Sequence, residues 1–130
     1  MASIFSKIIS GEIPAHKIAE TQNYLAFLDI NPLMTGHTLV VPKSEMDVIY
    51  DMDDELFIGL HLFAKAIAKS LHKAIECKRI GFAIIGLEVP HAHIHLIPIN
   101  SVSDMDFSKS RPKPTDEELA NIAEKIRSFI

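Results

Sequence analysis

The chain is predicted to be an α+β protein, with one sheet of about five mostly antiparallel strands, one long helix, a short N-terminal helix and a C-terminal helix. Three observations predict it. Short β-branched runs bounded by Pro, Gly and Asn recur on both sides of a single long helical segment. That segment, Asp53 to Ile75, repeats apolar residues every three and four positions. Near the end, Thr115-Asp116-Glu117-Glu118 opens another such run in the manner of a capping box. The 130 residues suffice for one domain with a real core and are too few for two. Residues 1–130 therefore read as one domain, its core within 3–99 and a C-terminal extension with a helix within 100–130.

Taken in order, Ser3 to Ile9 places Ile4, Phe5, Ile8 and Ile9 at helical spacing, with Ser3 to cap the start and Gly11 to end it. Ile13-Pro14 interrupts the helix, and His16 to Glu20 reads as a first strand. Thr21-Gln22-Asn23 is turn chemistry, so Tyr24 to Ile30 is expected to return as a hairpin partner. In that strand Leu25, Phe27 and Asp29 share a face. Asp29, a carboxylate among apolar residues, either has a partner or stands exposed at the strand end, helping to turn the chain at Asn31-Pro32.

His37 to Pro42 is a third strand, with His37, Leu39 and Val41 on one face. In the long helix Leu56, Leu60, Phe63, Ile67 and Leu71 mark the buried stripe, and Asp51, Asp53, Asp54 and Glu55 crowd the end where the helix dipole favours negative charge. A span of about 24 residues makes it about 36 Å long. Phe57, Ile58, Leu62 and Ala66 widen the apolar arc toward a partner surface, while His61 and His72 read as surface or interface residues. Arg79 to Gly86 is a nearly continuous apolar run, expected as a central strand, which turns at Gly86 to Pro90 into an antiparallel strand over Val89 to Ile99. Ser101 to Pro114 is polar with two prolines and reads as a surface segment. Leu119, Ile122, Ala123, Ile126 and Phe129 then give the C-terminal helix.

Composition excludes several classes. A net charge of −4 without a Lys/Arg cluster is a poor match to a nucleic-acid backbone, so no nucleic acid is expected as a partner; small anions remain open. The single cysteine, Cys77, cannot form an intrachain disulfide and fits a reducing compartment. Met1 to Ser10 lacks the pattern of a signal peptide, and no apolar run approaches the ~18 residues of a membrane span. A cytoplasmic protein with no membrane partner is the expectation.

The densest chemistry lies in Val89 to Ile99. His91, His93 and His95 alternate with Ala92, Ile94 and Leu96, so in an extended chain the imidazoles share one face and the apolar residues the other. A packed face gains little from three polar rings that each need a partner, which points to function. Near neutrality an imidazole can be nucleophile, general base, general acid or metal ligand. Alternate strand residues sit about 6.6 Å apart, so two neighbours could chelate an ion and a further ligand must come from elsewhere, with His37 as a candidate. No acidic ligand at nearby spacing and no cysteine pair adds to this set, so no metal and no cofactor is expected.

These segments together resemble one known family. His91-Ala92-His93-Ile94-His95-Leu96-Ile97 has the alternating signature of the histidine triad (HIT) superfamily. The blocks Phe5 to Pro14, Leu25 to Pro32 and Gly36 to Lys43 are similar to that family's N-terminal blocks in the same order. The likeness covers most of Ser3 to Pro98 and is nearest to the branch of nucleoside phosphoramidases. It implies a HIT-like fold, a homodimer, and a purine nucleotide or nucleotide conjugate as ligand.

By the same resemblance His93 would attack the α-phosphorus of a nucleoside 5′-phosphoramidate or related nucleotide, giving a nucleotidyl-histidine that water hydrolyses. The carbonyl of His91 would hold the other ring nitrogen of His93. His95 would contact the phosphate and leaving group, and His37 would support His91 from a neighbouring strand. Asp29 would bind the ribose hydroxyls, and Phe5, Ile8, Ile13, Phe27, Ile30 and Leu39 would line the base pocket. The chain departs from the family over Ile84 to Pro90, which is shorter than in many relatives; Leu87 stands where they carry Gln, and Glu88 where phosphoramidases often carry a phosphate-contacting Ser. A carboxylate at Glu88 repels a phosphate unless it turns away or pairs with a histidine. Two functions follow from the resemblance: a phosphoramidase-like hydrolase or transferase, or a purine-nucleotide-binding module with little or no turnover.

Overall fold

The computed structural model describes residues 3–130. In chain order they form α1 (Ile4–Ser10), β1 (Lys17–Glu20), β2 (Tyr24–Leu28), β3 (Thr38–Pro42), α2 (Asp54–Ala74), β4 (Arg79–Ala83), β5 (Ile94–Ile99) and α3 (Asp116–Arg127), with short 3-10 turns at Ile49–Asp51 and Val102–Met105. The strands make one antiparallel sheet in the order β1-β2-β3-β5-β4. The α+β class read from the sequence is the observed one.

Strand alternation divides the core in two. Ala26, Leu28, Val40, Ile94 and Leu96 point to one face, where Leu60, Ala64, Ile67 and Leu71 of α2 and Leu119, Ala123 and Ile126 of α3 cover them. Leu25, Phe27, Leu39 and Val41 point to the other, where Phe5 and Ile8 of the short α1 pack, with Ile9, Ile13, Ala15 and Val89 partly buried against them. The second face is thus half-covered, which leaves room for a groove.

Helix ends follow their sequence signals. Ser3 Oγ accepts the Ser6 N–H at 3.1 Å, and Gly11, at φ 87°, closes α1 in the left-handed conformation. Asp53 Oδ1 accepts the Leu56 N–H at 2.8 Å, so α2 begins at Asp54 and runs 21 residues, shorter than expected because Asp51 belongs to a separate turn. Thr115 and Glu118 form the capping box of α3. No helix of the described residues is long and apolar enough to cross a membrane.

Three strand expectations need correction. β4 is an edge strand, not a central one: Phe82, Ile84 and Ile85 are about half exposed, because among the described residues the run pairs with β5 alone, leaving its other edge free. β2 stops at Leu28, since Asp29 Oδ1 accepts the Asn31 N–H at 2.8 Å and turns the chain. The histidine segment becomes a strand only at Ile94. Pro90 has no N–H to donate, the His91 N–H turns back to the Val89 carbonyl at 2.8 Å, and the Ala92 N–H goes to the Met46 carbonyl at 2.6 Å. His91 and His93 therefore stand on an irregular segment, and only His95 lies within β5.

Candidate functional site

Register assembles the site. Phe27 pairs with Leu39 across β2 and β3, and Leu39 pairs with His95 across β3 and β5, so one row of the half-covered face runs from an aromatic ring to an imidazole. His37, just before β3, has the parity of Leu39 and comes within reach of His95. Phe5 of α1 meets Phe27 edge to face at 5.5 Å between centroids and His93 at 5.0 Å, which ties the helix to the histidine segment.

The hydrogen bonds around the four histidines assign their tautomers. His93 Nδ1 lies 2.7 Å from the His91 carbonyl oxygen, which can only accept, so Nδ1 carries the proton and Nε2 presents a lone pair. His91 Nε2 donates to the Pro42 carbonyl at 2.8 Å, which leaves Nδ1 to accept from Ser3 Oγ at 3.4 Å. The Leu33 N–H donates to His37 Nδ1 at 3.0 Å, so His37 Nε2–H donates to His95 Nδ1 at 2.9 Å. His95 accordingly carries its remaining proton on Nε2. A lone pair on His93 and an N–H on His95 result, with 4.8 Å between the ring centroids.

Burial favours the neutral forms of His37, His93 and His95. Desolvation, with the charges of Arg111 and His93 added, lowers the His37 pKa to about 3, and desolvation with His93 and His37 lowers that of His95 to about 3. Desolvation also lowers His93, against the hydrogen bond to the His91 carbonyl, which raises it. The 3.7 Å approach of His37 Nε2 to Asp29 Oδ2 is therefore not an ion pair near neutrality.

The partner of His37 differs from the one expected: it is His95, while His91 is held by Pro42 and Ser3. The two rings lie on different sides of His93, and no spacing rule in the sequence separates them.

Beside His93 and His95 opens a groove of about 220 Å³. Phe5, Ile8, Ile13, Phe27, Asp29, Ile30, Leu39 and Glu88 all line it, as do His93 and His95, whereas His91 and His37 lie behind. Arg111 lines it as well and was not foreseen. It comes from the segment read as mere surface, donates to the Asn31 carbonyl at 3.0 Å, and lies 5.6 Å over the Phe107 ring. Phe107, from the same segment, meets His95 edge to face at 4.9 Å. A lone aromatic in a polar run was the one available signal.

Asp29, His37 and His95 also place one ligand-type atom each within 4.8 Å of one another. The acidic group missing from the linear spacing thus arrives from Asp29, in the turn that follows β2. To ligate through Nε2, however, His37 would have to move its proton to Nδ1, where it would face the Leu33 N–H. The observed hydrogen bonds favour the proton over a cation.

Comparison with known proteins agrees in fold and sequence. A family model described as the HIT domain matches residues 10–102. The adenosine 5′-monophosphoramidase of Schizosaccharomyces pombe is 36% identical over 132 residues, covering 100% of this chain and 99% of its own length. That of Saccharomyces cerevisiae is 40% identical over 98 residues, 75% of this chain and 62% of its own. A crystal structure of a HIT-like protein involved in cell-cycle regulation from Bartonella henselae superposes with a TM-score of 0.87 at 31% identity, over 98% of this chain and 96% of that one.

Proposed function

Because the chain belongs to the HIT domain family, we propose that it is a nucleotide hydrolase acting at the α-phosphorus of a nucleoside 5′-phosphoramidate or related nucleotide, with His93 as nucleophile. The observation that carries this reading is the 2.7 Å hydrogen bond from His93 Nδ1 to the His91 carbonyl, which aims a lone pair at the mouth of a groove suited to a nucleoside. The names of the two yeast relatives support it.

In the groove, the apolar walls formed by Phe5, Ile8 and Phe27 suit a purine face, and Asp29 can accept from ribose hydroxyls. His93 Nε2 forms a bond to phosphorus as the P–N bond breaks, and the departing amine takes a proton from solvent. The His91 carbonyl stabilises the positive charge that His93 gains. His95 Nε2–H donates to a phosphoryl oxygen, held in that tautomer by His37. Water then attacks the nucleotidyl-histidine, releasing the nucleoside monophosphate and a proton and returning His93 to its neutral form.

Glu88 favours a second reading. It lines the groove with a negative charge near the phosphate position, which would slow attack and leave a purine-nucleotide-binding module. Intact-protein mass spectrometry after brief mixing with adenosine 5′-phosphoramidate and neutral quenching separates the two. A transient gain of one AMP by the wild type and none by His93→Ala is expected. No adduct and no released AMP, with nucleotide still bound by calorimetry, would leave only the binding module.

The free edge of β4 suits a second copy of this chain. Its unpaired backbone groups can extend the sheet across a two-fold axis, and exposed Phe82 on β4 and Phe57, Ile58 and Leu62 on α2 add apolar surface.

A further inference from the structure

Arg111 is the one Lys or Arg that lines the groove among the described residues. It comes from the segment after β5, outside the stretch 10–102 that the HIT domain matches, so kinship gives it no role. The other titratable groups of the lining are Asp29, Glu88, His93 and His95. Two of these are carboxylates, and burial favours the neutral form of both imidazoles. A phosphoryl group at His93 would therefore bring a further negative charge to a lining whose one permanent positive charge is the guanidinium. We infer that Arg111 is the phosphate-binding residue of the groove, donating to a non-bridging oxygen of the bound nucleotide, so that this chain holds a nucleoside monophosphate group in preference to an uncharged nucleoside. The inference rests on the proposed nucleotide site and adds to it the residue that recognises the anion.

Two tethers fix the guanidinium in place. Nη1 donates to the Asn31 carbonyl at 3.0 Å and Nη2 to the Phe107 carbonyl at 3.4 Å. A guanidinium has five N–H donors, so three remain for a ligand, already oriented by the first two. Among the described residues no carboxylate stands within ion-pair distance of it, although Asp29 and Glu88 line the same groove. A half-buried cation without an anionic partner has given up hydration without compensation, and a phosphoryl oxygen provides that partner. The tethers also tie Arg111 to both ends of the site. Asn31 lies two residues past Asp29, the carboxylate suited to the ribose, and the Phe107 ring, 5.6 Å from Arg111 Cζ, stands 4.9 Å from the His95 ring between centroids. The charge of Arg111 also lowers the pKa values of His37 and His95, as a position near the phosphate requires. Placed there, it offsets the repulsion that Glu88 exerts on the same anion.

The test is calorimetric titration of the full chain with AMP and with adenosine near neutral pH, for the wild type, Arg111→Gln and Arg111→Lys. The wild type is expected to bind AMP more tightly than adenosine. Arg111→Gln should weaken AMP binding by about 10- to 100-fold, the range for hydrogen bonds to a charged group, and leave adenosine within about twofold. Arg111→Lys keeps the charge without the fork and should recover part of the AMP loss. Adenosine reports on folding and on the tethers, because a chain that needs Arg111 only to hold its C-terminal segment against Asn31 loses both ligands together. An equal loss for both would overturn the inference and leave Arg111 as a strut. Unchanged AMP affinity in Arg111→Gln, or a wild type without preference for AMP, would overturn it as well. No binding of either ligand by the wild type would overturn the nucleotide site itself. AMP binding that depends on Arg111 stands whether or not His93 turns over a phosphoramidate, so the two proposals fail separately.

Discussion

His37 Nε2 lies 2.9 Å from His95 Nδ1 in the buried floor of the site, and the Leu33 N–H behind it fixes which atom donates. A proton on His95 Nε2 is thereby set by a backbone amide two hydrogen bonds away. Replacing His37 with Leu removes that control and should lower kcat by about 10- to 100-fold, in the range of supporting groups around a reactive centre. Gln at the same position can accept from Leu33 and donate to His95, and should recover much of the loss. Equal losses in the two variants would show that His37 acts through packing alone.

The pH dependence of turnover follows from His93. Only its neutral form attacks, and burial holds its pKa below the ordinary imidazole value. The acid limb of kcat/KM should therefore fall below about pH 6.5, the value for a free imidazole. Glu88 raises the His93 pKa through its negative charge, a smaller effect than burial, so Glu88→Gln should move the limb further toward acid. A limb above that of free imidazole in the wild type would contradict a desolvated nucleophile.

Stability carries a separate pH signature. His37 and His95 are held neutral to about pH 3 in the folded chain, whereas in the unfolded chain each takes up a proton near 6.5. Between those values the unfolded state binds more protons, so stability rises with pH, and it is lost as pH falls from about 6.5 toward 3. Thermal unfolding from pH 7 to pH 4 should show Tm falling on acidification, with a smaller slope in His37→Leu. An unchanged slope would place the protonation elsewhere.

How much of this was legible in the sequence depends on the range of the interaction. Ser3, Gly11, Asp53 and Thr115 announced helix ends because caps are local, and Leu25 with Phe27, and Leu39 with Val41, each announced a shared face because parity within a strand is local. The partner of His37 was not legible, since His91 and His95 have the same parity and only the turn at Pro90 to Ala92 decides which ring it meets. Arg111 and Phe107 were hidden for a related reason: a segment without periodicity gives no hint of where it returns to the fold. β4 was misread as central because an apolar run looks the same whether its second edge is covered by its own chain or by another.

That free edge yields a prediction about assembly. If a second copy pairs on β4, sedimentation equilibrium should report a dimer, and Phe82→Glu, a charge at a half-exposed edge position, should shift it toward monomer without a change in circular dichroism. A wild-type monomer at micromolar concentration would remove the second copy as occupant.

The backbone beneath His37 yields the last prediction. Gly36 has φ +90°, and a Cβ there would lie 3.0 Å from Ile75 Cγ1 and 3.2 Å from Leu71 Cδ1. Gly11 has nearly the same φ, +87°, with nothing within 4 Å of where its Cβ would stand. Both Ala substitutions incur the left-handed penalty of about 1–2 kcal/mol, so their difference isolates the crowding between β3 and the end of α2. Denaturant unfolding should therefore rank Gly36→Ala as the more destabilised by about 1 kcal/mol or more, the typical cost of overfilling a packed site. The Thr38 hydroxyl, which donates to the Gly36 carbonyl at 2.8 Å, resists relief by backbone movement, because shifting that carbonyl would break a buried hydrogen bond. Equal midpoints for the two variants would mean that Ile75 and Leu71 yield freely, and that the entry to β3 is less tightly held than its packing indicates.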